Sequence, residues 1–183
     1  MDKICAVVDC QGFTFPDRFI GRELAVVSEY ISQCQEIDPQ LKWQDLTAEE
    51  KSIVLYSTSE RHGLHHYPFN SRNFCYLPYS SEMGSIIKLW HEMIATEEKP
   101  LFAYKNHQLG KILLDNNIPC LDLDQPEYKF PKYADLQNRF GDNYLCAYHK
   151  RRKGTDARLI CAYRKAAHIF REVNESVKQM DWN

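Results

Sequence analysis

The sequence predicts an α/β fold, a mixed sheet with helices packed on it, and three observations carry that expectation. The chain opens on "ICAVVDC", residues 4–10, a β-branched run apolar on both faces as a strand in the middle of a sheet requires. Residues 100–124 then read strand, helix, strand, as "PLFAYK", "HQLGKILLDNN" and "IPCLDLD". A βαβ unit of this kind needs parallel pairing and a right-handed crossover. Third, Leu159, Tyr163, Ala166, Phe170, Val173 and Val177 recur at helical spacing, which predicts a long closing helix over 157–179.

The remaining elements follow in chain order. "RFIGRELAVVSEYI", residues 18–31, reads as one second strand joined to the first by a turn at Pro16 and Asp17. Residues 35–51 are polar, with a short helix expected at "TAEEKSIV" and Thr47 as its cap. "SSEMGSIIKLWHEMIA" puts Ile86, Ile87, Trp90, Met93 and Ile94 on one helical stripe, with Ser80 or Ser81 as the cap. Two antiparallel strands, then helix-linked parallel strands and a final helix, predict an α/β mixed sheet of the ribonuclease H-like type. With 183 residues and no repeat, low-complexity tract or Gly/Ser linker, a single domain over 1–183 is expected.

Composition narrows the function classes. Hydrophobic residues make up 44% and charged residues 26%, and no apolar run approaches the ~20 residues of a membrane helix. The first ten residues are too quickly interrupted by Asp9 for a secretory signal, so an intracellular place, cytoplasmic or nuclear, is expected. Seven irregularly spaced cysteines then argue for buried thiols or metal ligands rather than a disulfide framework. A formal net charge of −2 confines any nucleic-acid contact to a local patch.

"AVVDCQGF" and the later "AYKNHQLGKILLDNNIPCLDLD" are similar to the first two motifs of the proofreading, DnaQ-like (DEDD) exonucleases. In that group an Asp-x-Glu opens the fold and Asn-x-x-x-Asp begins a later helix. Asp9 and Asn106 match, but Gln11 stands at the glutamate position and Gly110 at the aspartate. "GTDAR" resembles the last motif and supplies Asp156. Two-metal phosphoryl transfer needs several carboxylates to hold hard cations ~3.5–4 Å apart. With Gln11 and Gly110 neutral, the set Asp9, Gln11, Gly110 and Asp156 predicts a degenerate, noncatalytic site. The alternative is a nuclease that recruits Asp122 or Asp124 as a third acid, or one that works without metal through His149 or His107 as base.

A second constellation offers softer donors. Cys146 and His149 in "CAYH", followed by Cys161, supply thiolate and imidazole ligands of the kind zinc selects. Read from spacing alone, the two cysteines serve equally as small buried hydrophobes. His168 lies about 10 Å beyond Cys161 along a continuous helix, too far to share an ion, and is expected to be a partly exposed helix residue. Cys-x-x-His with a later cysteine opening the closing helix, plus a glutamate on the second strand, resembles the Maelstrom (MAEL) domain. The same combination resembles a loose group of uncharacterised invertebrate and mobile-element-associated proteins. The Maelstrom resemblance implies a ribonuclease H-like fold without catalytic carboxylates and a structural zinc on Glu23, Cys146, His149 and Cys161. It further implies a role in piRNA-linked transposon silencing. Two departures stand out: these residues contain no HMG box, and the interval from His149 to Cys161 is longer.

Between the expected ligands runs "KRRKGTDAR". Lys150, Arg151, Arg152, Lys153 and Arg158, with Arg164 and Lys165 on the closing helix, form a candidate surface for single-stranded RNA. Tyr148 and Tyr163 flank it as stacking partners. The same run also fits a solvated loop, and a protein partner is expected in either case. "RHGLHHYPF" places Glu60, His62, His65 and His66 together, either as a second metal site or as an aromatic loop meeting a partner.

Overall fold

The computed structural model describes residues 1–58, 77–141 and 161–180 of the chain. β1 (Ile4–Thr14) is the middle strand of a five-stranded mixed sheet ordered β3-β2-β1-β4-β5. Its antiparallel neighbour is β2 (Phe19–Ser28), which pairs in turn with the antiparallel β3 (Ser32–Glu36). On the other side β4 (Leu101–Tyr104) runs parallel to β1, and β5 (Cys120–Asp122) parallel to β4.

The second strand expected over 18–31 is two strands in fact. The Ser28 hydroxyl accepts the Tyr30 and Ile31 amides at 3.3 and 2.8 Å, and the Ser28 amide donates to the Ile31 carbonyl at 2.7 Å. This serine turn reverses the chain into β3, whose sequence "SQCQE" carries no apolar alternation because it is an edge strand. Further along, the β1–β2 register slips between Gln11 and Gly12. A Cβ on Gly12 would lie 2.2 Å from the Ile20 carbonyl oxygen, so only glycine allows this close approach of the two backbones.

Five helices are described. α1 (Ala48–Thr58) starts as its sequence predicts: Thr47 Oγ1 accepts the Glu50 amide at 3.2 Å and Glu50 Oε2 accepts the Thr47 amide at 2.8 Å. α2 (Met83–Ile94) buries Met83, Ile87 and Trp90, but Met93 is 60% exposed, so its apolar stripe is narrower than expected. Neither Ser80 nor Ser81 caps it directly; Ser80 Oγ instead accepts the Gly21 amide at 2.8 Å, tying this end to β2. α3 (His107–Asp115) is capped by Asn106, whose side chain accepts the amides of Gln108 and Leu109. α4 (Tyr133–Phe140) was not expected, because only Leu136 and Phe140 of its eight residues are buried and the periodic signal is weak. α5 (Ala162–Met180) is the closing helix.

The sheet is covered on both faces. Ala6, Val8, Cys10, Leu24, Val26 and Phe102 meet α2 and α3, while Val7, Ala25, Val27 and Ala103 meet Leu136 of α4 and Ala166 and Ile169 of α5. No helix among the described residues is long and apolar enough to cross a membrane. Phe102 is fully buried at the centre of the first layer. Phe102→Ala is expected to cost about 3–5 kcal/mol in urea denaturation; a loss under about 1 kcal/mol would contradict this placement.

Candidate functional site

The period of β1 turns Val7, Asp9 and Gln11 to one face, the face that α5 covers. Antiparallel pairing sets Glu23 opposite Gln11 and Ala25 opposite Asp9. Parallel pairing of β4, with Ala103 beside Val7, delivers Asn106 next to Asp9 just past the strand end. Topology thus gathers Asp9, Gln11, Glu23 and Asn106, and Glu23 meets the first residue of α5.

Asp9 is 3% exposed, and burial pushes its carboxyl above the ordinary value of 3.8. Three neighbours pull the other way, the positive charge of Lys165 most strongly, then the side chains of Gln11 and Asn106. Gln11 Nε2 donates to Asp9 Oδ2 at 3.1 Å. Asn106 Nδ2 donates to the Cys10 carbonyl at 2.8 Å and stands 3.5 Å from Asp9 Oδ1. The oxygens of Asp9 are thus met by the amide groups of Gln11 and Asn106, and burial outweighs the pull of the Lys165 charge.

Gly110 occupies the position where the exonuclease pattern has an acid, and its surroundings are already filled. A Cβ there would lie 2.6–2.8 Å from the ring and hydroxyl of Tyr104. The phenol thus takes the space that a carboxylate would need. Of the acids considered as replacements, Asp124 pairs with Lys105, and Asp122 Oδ1 accepts the Asp124 amide at 2.9 Å. His107, a candidate base, is exposed on the first turn of α3.

The second carboxylate, Glu23, is fully buried. Its Oε2 accepts the Ala162 amide at 3.1 Å, holding the N-terminus of α5, where orphan N–H groups and the helix dipole favour an anion. Its Oε1 lies 3.6 Å from Cys161 Sγ and 2.9 Å from Cys34 Sγ. For zinc bonds of about 2.0–2.3 Å at tetrahedral angles, neighbouring ligand atoms stand about 3.5 Å apart. The Glu23 oxygen and the Cys161 sulfur therefore fit two corners of such a site. Among the described residues no group of three or more metal-ligating side chains is arranged to hold an ion.

The other expected site residues divide in two. Asp156, Cys146, His149, Tyr148, Lys150, Arg151, Arg152, Lys153 and Arg158 lie outside the described residues, as do Glu60, His62, His65 and His66. Arg164 is a correction: it is buried, with Nη2 donating to the Gly141 carbonyl at 3.1 Å at the C-terminal end of α4. It serves the packing of α4 on α5 and presents no charge to a phosphate. Lys165 is half-buried, its Nζ 5.5 Å from the Tyr133 ring centroid, and its charge acts on the Asp9 carboxyl. His168 is a second correction: it is fully buried, its ring 5.9 Å from that of Tyr133 and 5.8 Å from that of Phe140. The reason is α4, whose aromatic residues cover the face of α5 that carries His168.

Cys34 and Tyr104 escaped the sequence reading. Cys34 reaches Glu23 only through the unexpected β3, and the role of Tyr104 depends on the packing of α3 against β4. Comparison with protein-family models, curated proteins and solved structures finds no match to this chain.

Because Asp9 protonates more readily in the folded than in the unfolded state, its contribution to stability grows as pH falls toward 3.8 and is lost as pH rises through the raised value. Denaturation at neutral and acid pH should therefore show wild type gaining on Asp9→Asn as pH falls. An unchanged difference between the two variants would contradict the burial-driven shift.

Proposed function

We propose that the chain is a noncatalytic, zinc-stabilised ribonuclease H-like module that binds single-stranded RNA. The observation that carries this reading is the setting of Asp9, a buried carboxylate that accepts from Gln11 and has Asn106 Nδ2 at 3.5 Å. Hard divalent cations bind where several anionic oxygens converge. Here one buried carboxylate meets an ammonium and two amides, and Tyr104 crowds Gly110, so the metal pair of a nuclease has no seat beside Asp9.

The strand order β3-β2-β1-β4-β5, with β1–β3 antiparallel and β4–β5 parallel, supports the ribonuclease H-like part of the reading. Contact of Glu23 with Cys161 supports the zinc part, since the Maelstrom resemblance asks for those two residues on one ion. Glu23, Cys146, His149 and Cys161 would hold the zinc, which when bound cross-links β2 to the start of α5 and couples its own binding to folding. Glu23 already anchors the helix amide, so the ion adds to an existing attachment.

With Arg164 buried and Lys165 acting on Asp9, the RNA surface reduces to Lys150, Arg151, Arg152, Lys153 and Arg158. Five phosphate contacts to a single strand correspond to roughly a 100-fold loss of affinity between about 50 and 200 mM salt. A role in small-RNA-guided transposon silencing rests on the Maelstrom resemblance alone.

Labelled single-stranded RNA and DNA, incubated with the chain in Mg²⁺, Mn²⁺ or EDTA, test the proposal. Salt-sensitive RNA binding without cleavage is expected, equally for wild type and Asp9→Ala. Divalent-dependent cleavage abolished by Asp9→Ala would overturn the noncatalytic reading, and absence of RNA binding would overturn the RNA assignment.

A further inference from the structure

α2 packs Met83, Ile87 and Trp90 into the core, and its opposite side stands in solvent. Ser85, Lys88, Leu89, Glu92 and Met93 are all exposed there, Leu89 by 56% and Met93 by 60%. At 3.6 residues per turn these side chains fall into two neighbouring rows along the helix, Lys88 and Glu92 in one, Ser85, Leu89 and Met93 in the other. Two large apolar side chains one turn apart thus lie beside a cation and an anion one turn apart. Neither charge joins an ion pair among the described residues. α3 covers the same face of the sheet as α2 and carries Leu114, 65% exposed, as a third outward apolar side chain.

We propose that this face of α2 docks a second copy of the chain, helix against antiparallel helix about a two-fold axis. The charge pattern selects that occupant. A two-fold axis perpendicular to the helix pair lays each row on its own counterpart and reverses the direction of that counterpart. The charged row then sets Lys88 against Glu92 of the partner subunit, and Glu92 against Lys88 of the partner subunit. The apolar row sets Leu89 against Met93 of the partner subunit. Both rows close around nearly the same point: the charged pair is centred on Trp90 and the apolar pair on His91, a mismatch of about 1.5 Å along the helix. A parallel pair would instead lay the apolar row of each copy on the charged row of the other. α2 has 12 residues, so the helix contact is about 18 Å long and buries less than the ~1,200 Å² at which specific interfaces begin. A weak dimer that forms with rising concentration follows from that size.

Sedimentation equilibrium of the full chain, from about 10 to 500 µM, tests this, since micromolar to millimolar constants describe a weak association. Wild type should pass from monomer to dimer within that range. Lys88→Glu and Glu92→Lys should each weaken the dimer at least about tenfold by placing like charges opposite one another, and the double reversal should restore it. Leu89→Glu should leave a monomer throughout. All these positions are exposed, so circular dichroism of each variant should match wild type and separate lost docking from lost folding. A wild-type monomer at every concentration would overturn the proposal and leave the face to an unlike partner. A dimer indifferent to the single reversals, or a double reversal as weak as the singles, would overturn the antiparallel pairing of Lys88 with Glu92 on which the proposal stands.

Discussion

Two carboxylates lie buried on the central strands of the sheet, Asp9 on β1 and Glu23 on β2, and Glu23 meets the first residue of the closing helix. An isolated buried carboxylate costs several kcal/mol, so the elements above these two must supply positive potential and donors. α5 does this twice: its N-terminal amide at Ala162 bonds Glu23, and Lys165, one turn further, brings its charge to Asp9. The negative face of the sheet and the positive end of the helix thus fix where α5 starts and which side of it faces inward. The Glu23 charge adds to the upward push that burial gives the Asp9 carboxyl.

The same arrangement fills the surroundings of Asp9 among the described residues. A phosphoryl-transfer site needs carboxylates that remain open to metal and substrate. Here the open positions have gone to Gln11, to Asn106, to the Lys165 ammonium and to the Tyr104 ring against Gly110. An acid at position 110 would meet the Tyr104 ring. This surface is a joint between sheet and helix.

Much of the architecture was legible because long periodic segments leave strong signals. "ICAVVDC" announced a central strand, and the strand–helix–strand run near residue 100 fixed parallel pairing. What was missed had weak local signals. β3 is a polar edge strand, made a strand by pairing with β2 and by the Ser28 turn. α4 buries only two side chains, and without it the burial of Arg164 and His168 was unreadable. At the site, the neutral residues Gln11 and Gly110 were visible residue by residue. The substitutes were not, because Lys165 and Cys34 reach the carboxylates only through tertiary packing.

Amide hydrogen exchange at Ala162 tests the anchoring of α5 on Glu23 most directly. In the wild-type chain this amide should exchange as slowly as the β1 core amides, and Glu23→Gln should speed it while leaving β1 protected. If Ala162 exchanges fast in the wild type, or at the same slow rate in Glu23→Gln, the helix is held by other contacts and the buried carboxylate is not its anchor.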